Sequence, residues 1–184
     1  MISIINRGSK YAEELSNALQ DIACPHELIP IEELERRTYT KGVIVPGAPV
    51  LLTETDRQRE MQLYRFLMDE TVPVLGICYG HQILGLLFGS RIFKKHHIHH
   101  IERVEFLKEN PLFEGVDRID HFAEDHSECI TLPEGFHRVA SSKSCENEAM
   151  HFRNFYGVQF HPEISGDSGK KVLKNFVRLC HEYR

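Results

Sequence analysis

A cysteine set between glycines, Gly76-Ile77-Cys78-Tyr79-Gly80, and a histidine followed by proline and glutamate, His161-Pro162-Glu163, are the residues here best suited to chemistry. A thiol becomes an effective nucleophile when a base takes its proton, and the base works best when a third group fixes its tautomer. Cys78 follows the apolar run Val74 to Ile77, read as a buried strand, and precedes Tyr79 to Phe88, read as a helix. A turn this tight strains the backbone at its apex, and small neighbours let other backbone come close. At the helix N-terminus the dipole favours the thiolate. Taken alone, G-x-C-x-G fits a buried structural cysteine equally well. His161 ends the apolar run Tyr156 to Phe160. If the segment is extended, Glu163 lies on the same side as His161 and can bond one imidazole nitrogen, with Pro162 fixing the backbone between them. The other nitrogen is then free to accept a proton from a thiol. That set is the nucleophile, base and orienting carboxylate of thiol acyl transfer.

The elements that would position these groups alternate. Ile2 to Ile5 reads as a first strand, with Ser9 as N-cap of a helix through Tyr11, Leu15, Ala18, Leu19 and Ile22. Strands follow at Glu27 to Ile31 and Gly42 to Val45, and the second of these ends in the loop Pro46-Gly47-Ala48-Pro49. Asp56 to Asp69 reads as a surface helix, followed by the strand Val72 to Ile77. Such alternation predicts an α/β fold of three layers, a mainly parallel central sheet with helices on both faces. Ligands bind beyond the carboxyl ends of such strands, where Cys78 and the Pro46 to Pro49 loop both fall. The later runs Arg91 to Phe93, Arg103 to Leu107, Ile119 to Phe122, His137 to Ala140, Ala149 to Phe152 and Phe155 to Phe160 read as an antiparallel extension at one edge. A last helix covers about Ser168 to Cys180. With no repeat, linker or low-complexity tract, residues 1–184 read as one domain.

Composition narrows the function. A net charge of −5 argues against tracking a phosphate backbone, so nucleic acid is not expected as a partner. No apolar run approaches the length of a membrane span, and no secretory signal is evident. Five widely spaced cysteines without a C-x-x-C pair suit a reduced, cytoplasmic setting better than a disulfide framework. No P-loop is present, so any ATP chemistry is expected on a partner.

The segments Gly76-Ile77-Cys78-Tyr79-Gly80-His81-Gln82 and Gly157-Val158-Gln159-Phe160-His161-Pro162-Glu163 together resemble the class I (triad) glutamine amidotransferases, and the likeness runs along nearly the whole chain. Asn6 to Tyr11, Ala140 to Met150 and Leu173 to Phe176 resemble in particular the stand-alone glutaminase subunits of GMP synthase. The resemblance implies a flavodoxin-like fold and no cofactor, with L-glutamine as substrate. It also implies an ATP-dependent synthetase partner, the ATP-pyrophosphatase subunit of GMP synthase. Cys78 would attack the side-chain carbonyl of glutamine, with His161 as base and then acid, held by Glu163. Backbone N–H groups of Tyr79 and of the Gly47-Ala48 turn would form the oxyanion hole. Gln82 would contact the substrate, and the loop Asp125-His126-Ser127-Glu128 would grip its α-amino and α-carboxylate ends.

The chain also departs from the family pattern. The oxyanion loop is Val45-Pro46-Gly47-Ala48-Pro49, Asn6 and Lys10 replace an Asp and a Gln, and Ile164-Ser165-Gly166-Asp167 follows Glu163. Other readings of the same residues are an amidotransferase subunit of another pathway (anthranilate or aminodeoxychorismate), a γ-glutamyl hydrolase, or a non-catalytic regulatory binding protein. His96-His97-Ile98-His99-His100 suggests a metal site, but consecutive histidines on a strand point to opposite faces, and no cysteine or carboxylate is read at ligand spacing beside them. A basic edge facing an acidic partner or a nucleotide phosphate is the expectation there, and no metal is assigned.

Overall fold

The computed structural model describes residues 1–36 and 40–183. Among the described residues nine strands form one sheet: β1 (Ile2–Asn6), β2 (His26–Pro30), β3 (Val43–Val45), β4 (Val74–Ile77), β5 (Ile92–Phe106), β6 (Ile119–Ile130), β7 (His137–Ser142), β8 (Ala149–Phe152) and β9 (Phe155–Val158). Their order is β2-β1-β3-β4-β9-β8-β7-β5-β6. The first five strands in that order run parallel, and the remaining pairings are antiparallel.

The central strands β1, β3, β4 and β9 bury both faces, as parallel strands covered by helices do. Ile4, Ile44, Leu75, Tyr156 and Val158 point to the side covered by α1 (Ala12–Asp21) and α4 (Gly166–Glu182), which supplies Val172, Leu173 and Phe176. Ile5, Val43, Val45, Val74 and Phe155 point the other way. There they meet Tyr64 of α2 (Arg57–Tyr64) and Tyr79, Ile83 and Leu84 of α3 (Tyr79–Leu87). Among the described residues no helix is long and apolar enough to cross a membrane.

Several expectations need correcting. Phe155 to Phe160 is not part of an antiparallel edge. Its strand, β9, lies in the middle of the sheet, parallel to β4 from Val74↔Phe155 to Ile77↔Val158 and antiparallel only to β8. Its four residues are all buried, as a central strand requires. Ser9 is not the N-cap of α1. Its Oγ instead accepts from the Tyr11 N–H at 3.2 Å, and its own N–H donates to Asn6 Oδ1 at 2.8 Å, which builds the turn before the helix. The helix expected over Asp56 to Asp69 is α2, capped by Asp56 accepting from the Arg59 N–H, followed by a 3-10 turn over Arg65–Asp69. β5 and β6 are much longer than the runs Arg91 to Phe93, Arg103 to Leu107 and Ile119 to Phe122, and they form a hairpin that takes in both the histidine cluster and Asp125 to Glu128.

Candidate active site

The parallel pairing of β4 with β9 carries Cys78 and His161 to the same edge of the sheet. Cys78 follows the last residue of β4 directly, and its N–H donates to the Val158 carbonyl of β9 at 2.8 Å. Cys78 takes φ 51° and ψ −104°, a left-handed conformation costly for any residue with a Cβ. The glycines make this turn possible. A Cβ on Gly76 would lie 2.5 Å from the Gly80 backbone, and one on Gly80 would lie 1.9 Å from the Val45 carbonyl oxygen. Strand, turn and helix therefore close together only with hydrogen at both positions.

His161 is 2% exposed, and its imidazole Nδ1 lies 2.7 Å from Glu163 Oε1. The expected extended path from His161 to Glu163 does not occur. Pro162–Ile164 forms a 3-10 turn, which returns the carboxylate beneath the ring. Proline's fixed φ suits the first position of such a turn. The His161 N–H donates to the Ala123 carbonyl at 2.9 Å, and the Ser165 hydroxyl donates to the His161 carbonyl at 2.6 Å. With Nδ1 facing a carboxylate, that nitrogen carries hydrogen and Nε2 is the one left to exchange protons. Burial pushes the imidazole pKa down, but Glu163 and a hydrogen bond with Cys78 outweigh it and hold it well above the usual histidine range.

Glu163→Gln tests that orienting contact. The amide cannot stabilise the imidazolium, so kcat for a thiol-dependent acyl transfer at Cys78 is expected to fall about 10²–10³-fold. That is less than the roughly 10⁴-fold cost where a weaker hydroxyl nucleophile must be activated. Steady-state turnover measures it.

Cys78, Tyr79, Gly47, Ala48, Gln82, His161 and Asp125 to Glu128 all line one cavity of about 310 Å³, at the small end of ligand pockets. Gly47 sits against the dyad: a Cβ there would lie 3.1 Å from His161 Cε1 and 3.9 Å from Cys78 Cβ. Tyr79 is the first residue of α3, so its N–H has no partner within the helix. Its hydroxyl donates to Glu60 Oε2 at 2.6 Å, and Arg7 bonds the same carboxylate, which fixes the first turn of α3 against α2.

The substrate-gripping expectations fare unevenly. Asp125 to Glu128 is a stretch of β6 rather than a loop, so its side chains alternate. Asp125 stands at the mouth, accepting from the Tyr11 hydroxyl at 2.8 Å and paired with Lys10 and His97. These partners outweigh burial and hold its carboxyl well below the usual range. Ser127 is half-buried in the cavity wall. Glu128 has both oxygens engaged elsewhere, accepting from the Leu52 and Thr53 N–H groups at 2.9 and 2.7 Å. The Gln82 amide nitrogen likewise donates to the Glu128 carbonyl at 2.8 Å and to Gln159 Oε1 at 3.2 Å, tying α3 to β6 and to the β9 segment.

Two neighbours of the dyad were missed in the sequence. Gln159 donates to Cys78 Sγ at 3.6 Å, and Tyr11 packs edge-on against His161 with ring centroids 4.9 Å apart. Gln159 stands two residues before His161, the same parity in an extended run, and that spacing was the available signal. Tyr11 gave none, since its place depends on α1 crossing the sheet.

Behind the cavity lies a buried ionic cluster. His126 contacts the Glu128 carbonyl through Nδ1 at 3.0 Å and Glu124 Oε2 through Nε2 at 3.3 Å. Burial opposes its charge, but Cys129 and Glu124 outweigh that and push the pKa up to about 11. Glu148 accepts from the Ser142 hydroxyl at 2.6 Å, and burial and Glu124 push its carboxyl pKa well above the usual range. Between its ordinary pKa of 4.5 and its higher folded value, the native state binds one more proton than the unfolded chain. Stability therefore falls as pH rises through that interval. Glu148→Gln is expected to shrink the loss of urea midpoint between about pH 5 and about pH 8 and to leave the variant at least as stable as the parent at the higher pH. All five cysteines are buried and none is in a disulfide.

An open α/β sheet that gathers a thiol, an imidazole and a carboxylate at its carboxyl edge has the composition of a triad acyl-transfer site. The chain belongs to the Glutamine amidotransferase class-I family, whose sequence pattern matches residues 3–180. It is 35% identical over 192 residues to the glutamine-hydrolysing GMP synthase subunit of Methanosphaera stadtmanae, covering 99% of both chains. It is 32% identical over 189 residues to the protein of the same name from Methanocaldococcus jannaschii, covering 98% of this chain and 97% of that one. Among solved structures, a candidate GMP synthase subunit from Thermoplasma acidophilum superposes with a TM-score of 0.87 at 25% identity, over 100% of this chain and 94% of that one. A glutamine amidotransferase from Thermotoga maritima superposes with a TM-score of 0.79 at 19% identity, over 95% of this chain and 81% of the other.

Proposed function

We propose that this chain hydrolyses L-glutamine to glutamate and ammonia and delivers the ammonia to an ATP-dependent synthetase subunit, the ATP-pyrophosphatase subunit of a GMP synthase. The observation that carries the reading is the seating of Cys78 and His161 just beyond the carboxyl ends of the adjacent parallel strands β4 and β9, with Glu163 2.7 Å from the imidazole. His161 Nε2 takes the thiol proton as sulfur attacks the side-chain carbonyl carbon. The resulting oxyanion is met by N–H groups of Tyr79 and of the Gly47-Ala48 turn. As the C–N bond breaks, His161 returns the proton to the leaving nitrogen, releasing ammonia and a γ-glutamyl thioester. Water, deprotonated by His161, then attacks the thioester. The C–S bond breaks, glutamate is released, and His161 returns the proton to the leaving sulfur, which restores the Cys78 thiol. Asp125, at the pocket mouth, is placed to receive the α-ammonium group, and the Ser127 segment the α-carboxylate.

The relatives named as glutamine-hydrolysing GMP synthase subunits support the choice of partner, since this chain matches them along nearly its full length. The experiment is a coupled assay: the chain, glutamine, ATP and XMP, with and without the ATP-pyrophosphatase subunit from the same source. Glutamine-dependent GMP formation only when both are present is expected. GMP formed from free ammonia but never from glutamine would overturn the assignment. Amine release from γ-glutamyl amides without any partner would favour a γ-glutamyl hydrolase instead.

A further inference from the structure

We propose that His97, His99 and Asp125 form a binding site for a divalent transition-metal ion of the zinc class at the mouth of the pocket, and that the bound ion covers the approach to Cys78. The sequence hides this site because its ligands come from two strands. His97 and His99 are two apart on β5 and share a face, and the hairpin register sets Asp125 of β6 directly opposite His99. The irregularity between Lys94 and Ile98 twists this end of β5 and re-aims its side chains.

One donor atom from each of the three residues lies within 4.8 Å of the others. His97 Nε2 is 2.8 Å from Asp125 Oδ1, and His99 Nδ1 is 3.5 Å from the same oxygen. Tetrahedral zinc with bonds of about 2.0–2.1 Å sets its ligands roughly 3.4 Å apart, so small side-chain rotations would seat an ion. Two imidazoles and one carboxylate form a borderline set, which favours zinc or cobalt over magnesium or calcium, and a fourth position is left for water. Both imidazoles are well exposed, at 61% and 66%, and free to turn. Tyr11 donates to the other Asp125 oxygen, Oδ2, and so orients the carboxylate from outside the site without occupying Oδ1. Lys10 also pairs with Oδ2, and its side chain is 64% exposed and can swing into solvent as the cation arrives.

The position gives the ion a consequence. Asp125 offers its carboxylate to the site and its carbonyl to Cys78, whose S–H donates to it at 3.7 Å. His97 and Asp125 line the cavity that holds the thiol. An ion held there stands between solvent and sulfur. The metal site does not depend on the proposed glutaminase activity; only its effect on glutamine turnover rests on that reading.

The test must exclude zinc bound directly by the thiol, so it begins with Cys78→Ser protein. Calorimetric titration with Zn²⁺ is expected to show one ion per chain. Co²⁺ is expected to give the visible bands of a four-coordinate nitrogen and oxygen site. Adding His97→Gln and His99→Gln, with circular dichroism to confirm the fold, is expected to weaken Zn²⁺ binding at least about 100-fold, the upper end of the cost of losing outer-sphere partners alone. No saturable uptake by the Cys78→Ser protein, or equal affinity without the two histidines, would overturn the site. With the thiol intact, Zn²⁺ just sufficient to fill the site is expected to slow alkylation of Cys78 by iodoacetamide. The His97→Gln/His99→Gln protein is expected to lose that protection. An alkylation rate indifferent to bound zinc would overturn the covering role. Glutamine hydrolysis lost on removing zinc and restored by adding it would overturn the covering role, whereas no hydrolysis with or without zinc would count against the proposed function and leave the calorimetric result standing.

Discussion

Cys78→Ser is expected to lower kcat for glutamine hydrolysis by about 10⁴-fold or more while glutamine still binds, since removing the nucleophile of a comparable triad costs roughly 10⁶-fold. The reasoning begins with the turn. A residue at φ 51° at the head of α3 is held there by the β4–β9 ladder and by the close approach of Gly76 to Gly80, so serine inherits the same position. What changes is the atom. A hydroxyl gives up its proton far less readily than a thiol, and an imidazole paired with Glu163 is tuned to a thiol partner. The cavity walls, Asp125 and the Gly47 turn are untouched, so the loss falls on kcat and leaves binding in place. Single-turnover thioester trapping and equilibrium binding of glutamine separate the two. A serine variant that retains a tenth or more of the parent kcat, roughly 1.4 kcal/mol of barrier, would remove Cys78 from the chemistry.

Gly80→Ala is expected to cost about 3 kcal/mol or more of stability, the upper end of overpacking effects. The added methyl would stand 1.9 Å from the Val45 carbonyl oxygen and 2.8 Å from its carbonyl carbon. Those are backbone atoms of β3, pinned between β1 and β4, so no side-chain rotation relieves the clash. Either α3 lifts from the sheet or β3 shifts in its ladder. For a chain of this size each kcal/mol lowers the melting temperature by roughly 2–4 °C, so a drop near 10 °C is expected by calorimetry. Because the first turn of α3 moves, activity should fall as well, even at temperatures where the variant stays folded. A variant melting within about 1 °C of the parent would mean that the close approach of α3 to β3 is not what sets this turn.

These two residues were legible in the sequence because their chemistry is local. Glycines around a cysteine at a strand end announce a tight turn, and a buried apolar run ending in His-Pro-Glu announces a delivered imidazole. The place of β9 was not legible. Phe155 to Val158 has the same apolar look whether it closes an edge or fills the centre, and only the long-range pairing with Val74 to Ile77 decides. The β5–β6 hairpin was hidden for the opposite reason. Lys94 to His100 is nearly all polar, with Ile98 the one fully buried side chain, so no alternation marked a strand. Glu60 lies in the stretch read as a surface helix, yet it is 5% exposed, because Arg7 and Tyr79 satisfy it from other elements. Glu128, expected to grip a ligand, instead bonds the Leu52 and Thr53 N–H groups of the segment between β3 and α2, a long-range contact with no local signal.

The most direct single measurement is to treat the purified chain with a diazoketone analogue of glutamine and map the adduct by peptide mass spectrometry. One adduct per chain is expected, on Cys78, formed more slowly when glutamine is present and absent from the Cys78→Ser protein. An adduct on another residue, or a Cys78 that reacts at the same rate with and without glutamine, would contradict the assignment of this cleft to glutamine hydrolysis.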